Sequence, residues 1–211
     1  LIFNANHVLA QSEPSMVSVV LIDKTSSVTN DTEVQEKNQR ELIALLGDRI
    51  SQTGDRIIVS YIYSSSAQYS NRYEVVFDPP KEPNLEDLSS LKKERAILEH
   101  QLLLKRYKKS FAKKVLGMCF SGAIDQKETN IFGSLKIIAD VRGDYPTADI
   151  SVYLFSDLCE CSNFKKYYCQ GGSTFSGYHQ AEAAAKKDLE EALTHYQISK
   201  KSLKDITSVT M

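Results

Sequence analysis

The stretch that decides the fold is VSVVLIDKTSS, residues 17–27. Its first six residues form a short, continuous apolar and β-branched run, which is typical of a strand buried on both faces of a sheet. A polar loop follows at once and contains Asp23, Thr25 and Ser27, an Asp-x-Thr-x-Ser motif. Because binding sites in open parallel sheets lie beyond the carboxyl ends of the strands, this loop is well placed to bind a ligand.

Strands and helices alternate along the rest of the chain. Apolar runs predict further strands at 56–63, 72–77, 149–155 and 205–211. Helical periodicity and strong helix formers predict helices at 33–51, roughly 84–116, 131–142 and 180–197. Asp31 or Thr32 is expected to cap the first helix. The short connection after 56–63 predicts an antiparallel strand at 72–77. The expected fold is α/β: a Rossmann-like, doubly wound, mostly parallel central sheet with one antiparallel strand and helices on both faces.

The composition is that of an ordinary globular protein. The chain has 211 residues, of which 42% are hydrophobic and 25% charged, and its formal net charge is −1. This length fits one domain with a sizeable core. The near-neutral charge gives no reason to expect nucleic acid as a partner. No apolar run is long enough to predict a transmembrane segment.

Polar residues also mark two other places at the predicted carboxyl edge of the sheet. Thr129 stands just before the helix at 131–142, and Ser156-Asp157 follows the strand at 149–155. Three separate loops therefore bring two carboxylates, together with the hydroxyls of Thr25, Ser27 and Thr129, toward one edge. Hard oxygen donors without imidazole or thiolate suit Mg²⁺, Mn²⁺ or Ca²⁺, and so few charges would leave waters and an open coordination position on the cation.

These three segments together resemble the metal-ion-dependent adhesion site (MIDAS) of von Willebrand factor A and integrin-inserted domains. The resemblance covers about 15–211, with 1–14 as an N-terminal extension and about 81–124 as a helical insertion. It implies that Thr25 and Ser27 are direct hydroxyl ligands and that Thr129 engages in the high-affinity state. Asp23 and Asp157 would act mainly through bound water and hydrogen bonds. It also implies a function: a metal-dependent adhesion or scaffold module that grips the Asp or Glu of a protein partner through Mg²⁺, Mn²⁺ or Ca²⁺.

Several residues depart from that family's pattern. Thr25 replaces the more usual serine, 126–128 replaces glycines, and Leu158 stands where glycine is common, so that the third loop is expected to take another path. Lys24 would repel a cation unless its side chain points away. The alternative is a structural subunit of an assembly that keeps the fold, has a degenerate metal site, and docks through a basic helix.

The segment 85–116 contains nine Lys or Arg residues and four acidic ones. One interpretation is a docking helix for an acidic partner, a membrane or nucleic acid. The interpretation favoured by the sequence is a solvated face on a helix whose leucines, among them Leu91, Leu98 and Leu102, pack on the domain.

No motif predicts an enzyme. The four histidines lie far apart, and there is no nucleophile elbow, dinucleotide fingerprint or phosphate-binding loop. A metal-dependent hydrolase is the runner-up, because some phosphatases also begin with an Asp after the first strand. Those enzymes need a second acid two residues later, where this chain has Thr25.

The cysteines and the N-terminal residues bear on the compartment. Disulfides, free thiols and a metal site all remain open for Cys119, Cys159, Cys161 and Cys169. The first ten residues, LIFNANHVLA, are typical of the tail of a secretory signal or of an ordinary extension packed on the domain. Both ends of the chain suggest a trimmed fragment, and an extracytoplasmic location is slightly favoured over a cytoplasmic one.

Overall fold

The computed structural model describes residues 14–64, 66–68, 72–121, 128–167, 172 and 174–210. The strands of this part are β1 Met16–Asp23, β2 Arg56–Ile62, β3 Arg72–Val76, β4 Asp149–Phe155 and β5 Ile206–Thr210. The helices are α1 Ser26–Thr29, α2 Thr32–Arg49, α3 Ser90–Phe120, α4 Ile131–Asp144 and α5 Tyr178–His195, with a 3-10 turn at Lys200–Leu203. The N-terminal ten residues and Cys169 lie outside the described residues.

The strands form one mixed sheet in the order β3-β2-β1-β4-β5. The central strand β1 pairs in parallel with β2 and β4, and β4 pairs in parallel with β5. The strand β3 runs antiparallel to β2, as the short connection between them predicts. This topology confirms the predicted mostly parallel α/β fold with one antiparallel strand.

Alternate residues of β1 divide the interior into two cores. Val20 and Ile22 belong to a cluster with α2 and the C-terminal part of α3. Val17, Val19 and Leu21 face the opposite way and pack with α4. Because successive side chains of a strand point to opposite faces, an entirely apolar strand requires cover on both sides. The helices supply that cover, so the doubly wound arrangement is confirmed.

The predicted boundary of the first long helix is accurate because its cap is local. Asp31 is the N-cap of α2, and its Oδ1 accepts hydrogen bonds from the backbone N–H groups of Glu33 at 3.0 Å and Val34 at 3.1 Å. A side-chain oxygen at this position satisfies donors that the first helical turn leaves without partners.

The prediction for the basic helix was wrong in two respects. α3 begins at Ser90 and ends at Phe120, so it is displaced toward the C-terminus relative to 84–116. Its leucines also do not all pack on the domain, since Leu91 is 78% exposed, Leu98 60% and Leu102 57%. The residues of α3 that are fully buried lie in its last three turns: Phe111, Val115 and Cys119. No helix within the described ranges is long and apolar enough to span a bilayer.

Candidate metal-binding edge of the sheet

The carboxyl ends of β1 and β4 lie side by side, as the sequence predicts. Their register pairs Ile22 with Phe155, so that Asp23 and Ser156 both follow the last paired residues. The two side chains meet directly, because the Ser156 hydroxyl donates a hydrogen bond of 2.7 Å to Oδ2 of Asp23. The first and third polar loops therefore converge on one point, which we call the carboxyl edge.

The other carboxylate oxygen of Asp23 organises its own loop. Oδ1 accepts hydrogen bonds from the backbone N–H of Thr25 at 2.9 Å and from its hydroxyl at 2.5 Å. Asp23 is 1% exposed and Thr25 2% exposed. A hydroxyl that donates its proton to a carboxylate keeps its oxygen lone pairs for another partner, and a cation is one such partner.

Burial makes the negative charge of Asp23 costly. Desolvation raises the pKa of Asp23, the hydrogen bonds from Thr25 and Ser156 oppose this, and the nearby Asp157 carboxylate raises the pKa further. Because desolvation outweighs the hydrogen bonds, the protein alone does not fully compensate this carboxylate. A bound cation would supply the missing compensation.

Thr129 joins the second loop to the third. It is 3% exposed, and its backbone forms an antiparallel bridge with Cys161, with N···O distances of 3.1 and 2.9 Å. The next residue, Asn130, caps α4 by accepting a 2.7 Å hydrogen bond from the N–H of Gly133. A Cβ on Gly133 would lie 2.7 Å from the Asn130 side chain, so this cap depends on glycine at that position.

Asp157 is exposed, in contrast to Asp23. Its Oδ1 accepts a 3.0 Å hydrogen bond from the N–H of Cys159, which closes a tight turn. Inside this turn Leu158 has a φ of 61°, in the left-handed region that favours glycine. The leucine that replaces the expected glycine is therefore accommodated in a glycine-like conformation. Ser27 lies in α1, and its side chain is outside the described residues.

The structure adds a carboxylate that the sequence did not single out. Glu160 is 3% exposed, and its Oε2 accepts hydrogen bonds from the backbone N–H groups of Ile131 at 2.6 Å and Phe132 at 3.3 Å. Its Oε1 accepts a hydrogen bond from the Ser162 hydroxyl. Glu160 thus binds the N-terminus of α4, where a negative charge is favourable. Burial raises its pKa, and the charge of Asp23 contributes in the same direction, so the two carboxylates are electrostatically coupled.

Lys24 points away from the carboxyl edge. Its side chain is buried, its ammonium donates a 3.0 Å hydrogen bond to the carbonyl of Ser121, and Nζ lies 5.0 Å from the ring centroid of Tyr61. The lysine is therefore held against the C-terminal end of α3, and burial lowers its pKa. Its placement removes the conflict with a cation that its position in sequence suggests.

The donor set at the carboxyl edge fits a hard cation. Within the described ranges there is no group of three or more His, Cys, Asp or Glu side chains with the arrangement of a metal site. The edge instead combines hydroxyl oxygens with one buried carboxylate, Asp23, and one exposed carboxylate, Asp157. Oxygen-only sites of this kind suit Mg²⁺, Mn²⁺ or Ca²⁺ and leave coordination positions open.

The cysteines are not part of this donor set. Cys119 is a free thiol buried in the core beneath the sheet, and burial raises its pKa to about 12. Cys161 contributes its backbone to the bridge with Thr129. The disulfide prediction cannot apply to Cys119, and it stays a prediction for Cys159, Cys161 and Cys169.

Comparisons with known proteins give resemblances of fold at low identity. No family model and no curated protein sequence matches the chain. Among solved structures, it is similar to a von Willebrand factor type A protein from Catenulispora acidiphila, with a TM-score of 0.43, 15% identity, and coverage of 93% of this chain and 33% of that one. It is also similar to proximal thread matrix protein 1 from the mussel byssus, with a TM-score of 0.38, 13% identity, and coverage of 94% and 38%.

A third similar structure is the human COPII-coat protein Sec24c, with a TM-score of 0.31, 13% identity, and coverage of 67% and 19%. The chain thus spans about a fifth to two fifths of the length of these three proteins. All three TM-scores are below 0.5, so the fold described above rests on this chain's own strand order and pairing.

Proposed function

We propose that this chain is a binding module that holds one divalent cation at the carboxyl edge and uses it to grip a carboxylate of a protein partner. The observation that carries the proposal is the buried Asp23 carboxylate, to which both the Thr25 and the Ser156 hydroxyls donate hydrogen bonds. These contacts hold two hydroxyl oxygens beside one incompletely compensated negative charge. A cation of the Mg²⁺ class would bind there through oxygen atoms.

The resemblance to the metal-ion-dependent adhesion site assigns roles within this arrangement. Thr25 and Ser27 would ligate the cation directly, and Thr129 would engage when the partner is bound. Asp23 and Asp157 would act mainly through bound water and hydrogen bonds. Two neutral hydroxyls leave most of the cation's charge uncompensated, which favours an anionic ligand such as an Asp or Glu side chain from a partner.

We further propose that the module is not an enzyme. Two described histidines have other partners: the His100 ring bonds to the carbonyl of Pro80, and His195 packs against the rings of Phe164 and Tyr196. Neither contact pairs an imidazole with a nucleophile. The role of the edge in this proposal is binding, with the cation as the point of contact.

Calorimetry with Mg²⁺ and with Mn²⁺ tests cation binding. The variants are Asp23→Asn, which removes the charge but keeps the shape, and Asp48→Asn, which removes a charge from an exposed position of α2. We expect the wild type and Asp48→Asn to bind alike, and Asp23→Asn to bind at least about tenfold more weakly, a loss of about 1.4 kcal/mol. Absence of binding by the wild type, or equal binding by Asp23→Asn, would contradict the proposal.

Water-proton relaxation of the Mn²⁺-loaded protein tests the carboxylate step. Bound Mn²⁺ with open positions exchanges water and enhances relaxation, and a carboxylate that occupies such a position displaces that water. Acetate is therefore expected to lower the enhancement in a saturable manner, whereas acetamide is not. An enhancement that acetate leaves unchanged would show that the cation does not accept a partner's carboxylate.

A further inference from the structure

Three leucines of α3 form an exposed apolar line, which we call the leucine stripe: Leu91, Leu98 and Leu102. All three are more than half exposed. At about 100° per residue they lie within about 40° of one another around the helix. Two other exposed apolar residues, Ile97 and Leu103, lie about 120° to either side and do not belong to the stripe.

The stripe faces away from the body of the domain. The partly buried residues of the same part of α3 include His100 and Tyr107, which lie about 160–180° from Leu91 around the helix. His100 contacts the carbonyl of Pro80, and the Tyr107 hydroxyl accepts a 2.7 Å hydrogen bond from the N–H of Asp78. The helix is therefore packed on one side and presents its leucines on the other.

The spacing of the stripe is that of a coiled-coil seam. Leu91, Leu98 and Leu102 occupy d, d and a positions of a heptad repeat, and the same seam continues through the exposed residues Lys105 and Lys109. Beyond Lys109 the helix packs against the core cluster of the domain. The available seam thus runs for about 27 Å and includes Arg95, which occupies the a position between Leu91 and Leu98, so leucines hold three of its six a and d positions and cations hold the other three.

The three cations of the seam argue against a second copy of the chain as the occupant. A parallel pair would place Arg95, Lys105 and Lys109 against the same residues of its partner. An antiparallel pair that overlaps the whole seam would place Lys105 against Arg95 and Lys109 against Leu91. Like charges at facing positions are destabilising, and polar residues in the seam select the partner that complements them.

Charge indicates what the partner carries. α3 has nine Lys or Arg residues and two Glu residues in its sequence. The apolar face is also only about 40° wide, whereas a helix that lies on a membrane surface usually presents a face of about 100° or more. A narrow apolar line between cations fits a second helix with acidic flanks better than a lipid surface.

We propose that the leucine stripe with Arg95, Lys105 and Lys109 is a docking seam for an acidic amphipathic helix of another protein. That helix has apolar residues against the leucines and Asp or Glu residues against the three cations. This seam is separate from the carboxyl edge and does not depend on a cation bound there.

Designed peptides of four heptads test the seam by fluorescence anisotropy. In the acidic peptides, leucine stands opposite Leu91, Leu98 and Leu102 and glutamate opposite Arg95, Lys105 and Lys109, with one sequence for parallel and one for antiparallel pairing. We expect the acidic peptide of one orientation, parallel or antiparallel, to bind the protein. Peptides with lysine in place of glutamate are expected not to bind. Replacing Leu98 and Leu102 together by serine is expected to weaken binding about tenfold or more. Lys105→Glu is expected to do the same, whereas the control Leu103→Ser stays within about twofold.

Three results would overturn the proposal. The first is equal binding of acidic and basic peptides, or none, by a chain whose circular dichroism shows it to be folded. The second is self-association in sedimentation equilibrium that Leu98→Ser abolishes. The third is binding to vesicles of anionic lipid that depends on Leu98 while the peptides do not bind. If the seam proposal is correct, Asp23→Asn is expected to retain peptide binding. Failure of the cation-binding proposal can therefore be distinguished from failure of the seam proposal.

Discussion

Replacing Asp23 by asparagine should have opposite effects with and without a divalent cation. Asparagine has the shape of aspartate, and its Oδ1 can keep the hydrogen bonds from the N–H and the hydroxyl of Thr25. Its amide can donate to the Ser156 oxygen after rotation of that hydroxyl, so the contact of 2.7 Å is preserved with the donor reversed. The substitution thus removes a buried charge and keeps an acceptor for both Thr25 donors, while the displaced Ser156 hydroxyl proton can turn to solvent because Ser156 is only half-buried.

Hydrogen bonding makes asparagine a more informative substitution at position 23 than alanine. Asp23→Ala would remove the acceptor of two buried Thr25 donors and of the half-buried Ser156 hydroxyl. Each buried donor without an acceptor costs about 1–3 kcal/mol, so a loss of roughly 3 kcal/mol in the free energy of unfolding is expected. That loss would appear whether or not a cation binds. Asp23→Asn is expected to avoid it, because burial raises the pKa of Asp23 and so disfavours its charged form relative to water.

The pH dependence follows from the same cause. Burial raises the pKa values of both Asp23 and Glu160 above their ordinary values. Between the ordinary and the raised pKa, the folded protein binds more protons than the unfolded chain. The contribution of these two carboxyl groups to the stability of the metal-free protein is therefore fully present below the ordinary carboxylate pKa and is lost as pH rises through the raised values. In Asp23→Asn only the contribution of Glu160 remains, so the loss is smaller.

A bound cation is expected to make the wild type more stable than Asp23→Asn, which reverses their order of stability without metal. A ligand at a hundredfold excess over its dissociation constant stabilises the folded state by about 2.7 kcal/mol. For a domain of this size the corresponding rise in Tm is about 5 to 11 °C. We expect this rise for wild type in Mg²⁺ or Mn²⁺ at neutral pH and little or none for Asp23→Asn. Without metal, the variant should melt at the same temperature as wild type or higher.

Differential scanning calorimetry in chelator and in saturating Mg²⁺, from pH 4 to 8, measures both effects. Asp48→Asn serves as the charge-matched control and should follow wild type throughout. The reasoning is refuted if Asp23→Asn is destabilised in chelator by as much as Asp23→Ala, because the carboxylate would then be compensated by the protein alone. It is also refuted if metal raises the Tm of the wild type and of Asp23→Asn equally.

Three further predictions concern contacts outside Asp23. Glu160→Ala should lower the free energy of unfolding in urea by about 2–4 kcal/mol, because three donors lose their acceptor. Glu160→Gln should lower it by less than about 1 kcal/mol, because the amide oxygen can keep the backbone hydrogen bonds and burial, which raises the pKa of Glu160, disfavours the charge that is lost. Equal losses would show that the hydrogen bonds do not matter. In the same assay Phe111→Ala should lower the free energy of unfolding by about 3–5 kcal/mol and Leu102→Ala by less than about 0.5 kcal/mol. Losses of similar size would indicate that the leucine stripe is buried in the core. With its pKa raised to about 12, Cys119 should resist iodoacetamide at pH 8 in the folded protein and react after denaturation; peptide mass spectrometry measures this, and rapid modification of the folded protein would contradict its burial.

The convergence of two loops could be predicted from the sequence because it follows from the backbone. An apolar strand that ends in Asp23, and another that ends just before Ser156, bring both residues to one edge once the strands are parallel neighbours. The register of the sheet confirms this, since the last paired residues of β1 and β4 immediately precede the two polar ones. Local chemistry likewise fixed the start of α2, where Asp31 caps the helix.

Glu160 could not be found in the same way. It lies between two cysteines in an irregular loop, where no periodicity indicates burial. Its role depends on the N-terminus of α4, which is distant in sequence and becomes a neighbour only through the bridge between Thr129 and Cys161. A helix N-terminus attracts a carboxylate, but the sequence does not say which carboxylate is within reach.

The orientation of α3 was misjudged because periodicity identifies apolar faces without saying which of them meets the domain. The helix has two such faces. Phe111 and Val115 are buried in the core, whereas Leu91, Leu98 and Leu102 lie at other angles and nearer the N-terminus. A prediction that assigns every apolar position of a helix to one core treats these two faces as one. It therefore misses the exposed seam. An apolar seam that the domain leaves exposed, and that continues into lysines, is better explained by a separate acidic partner than by packing within this chain.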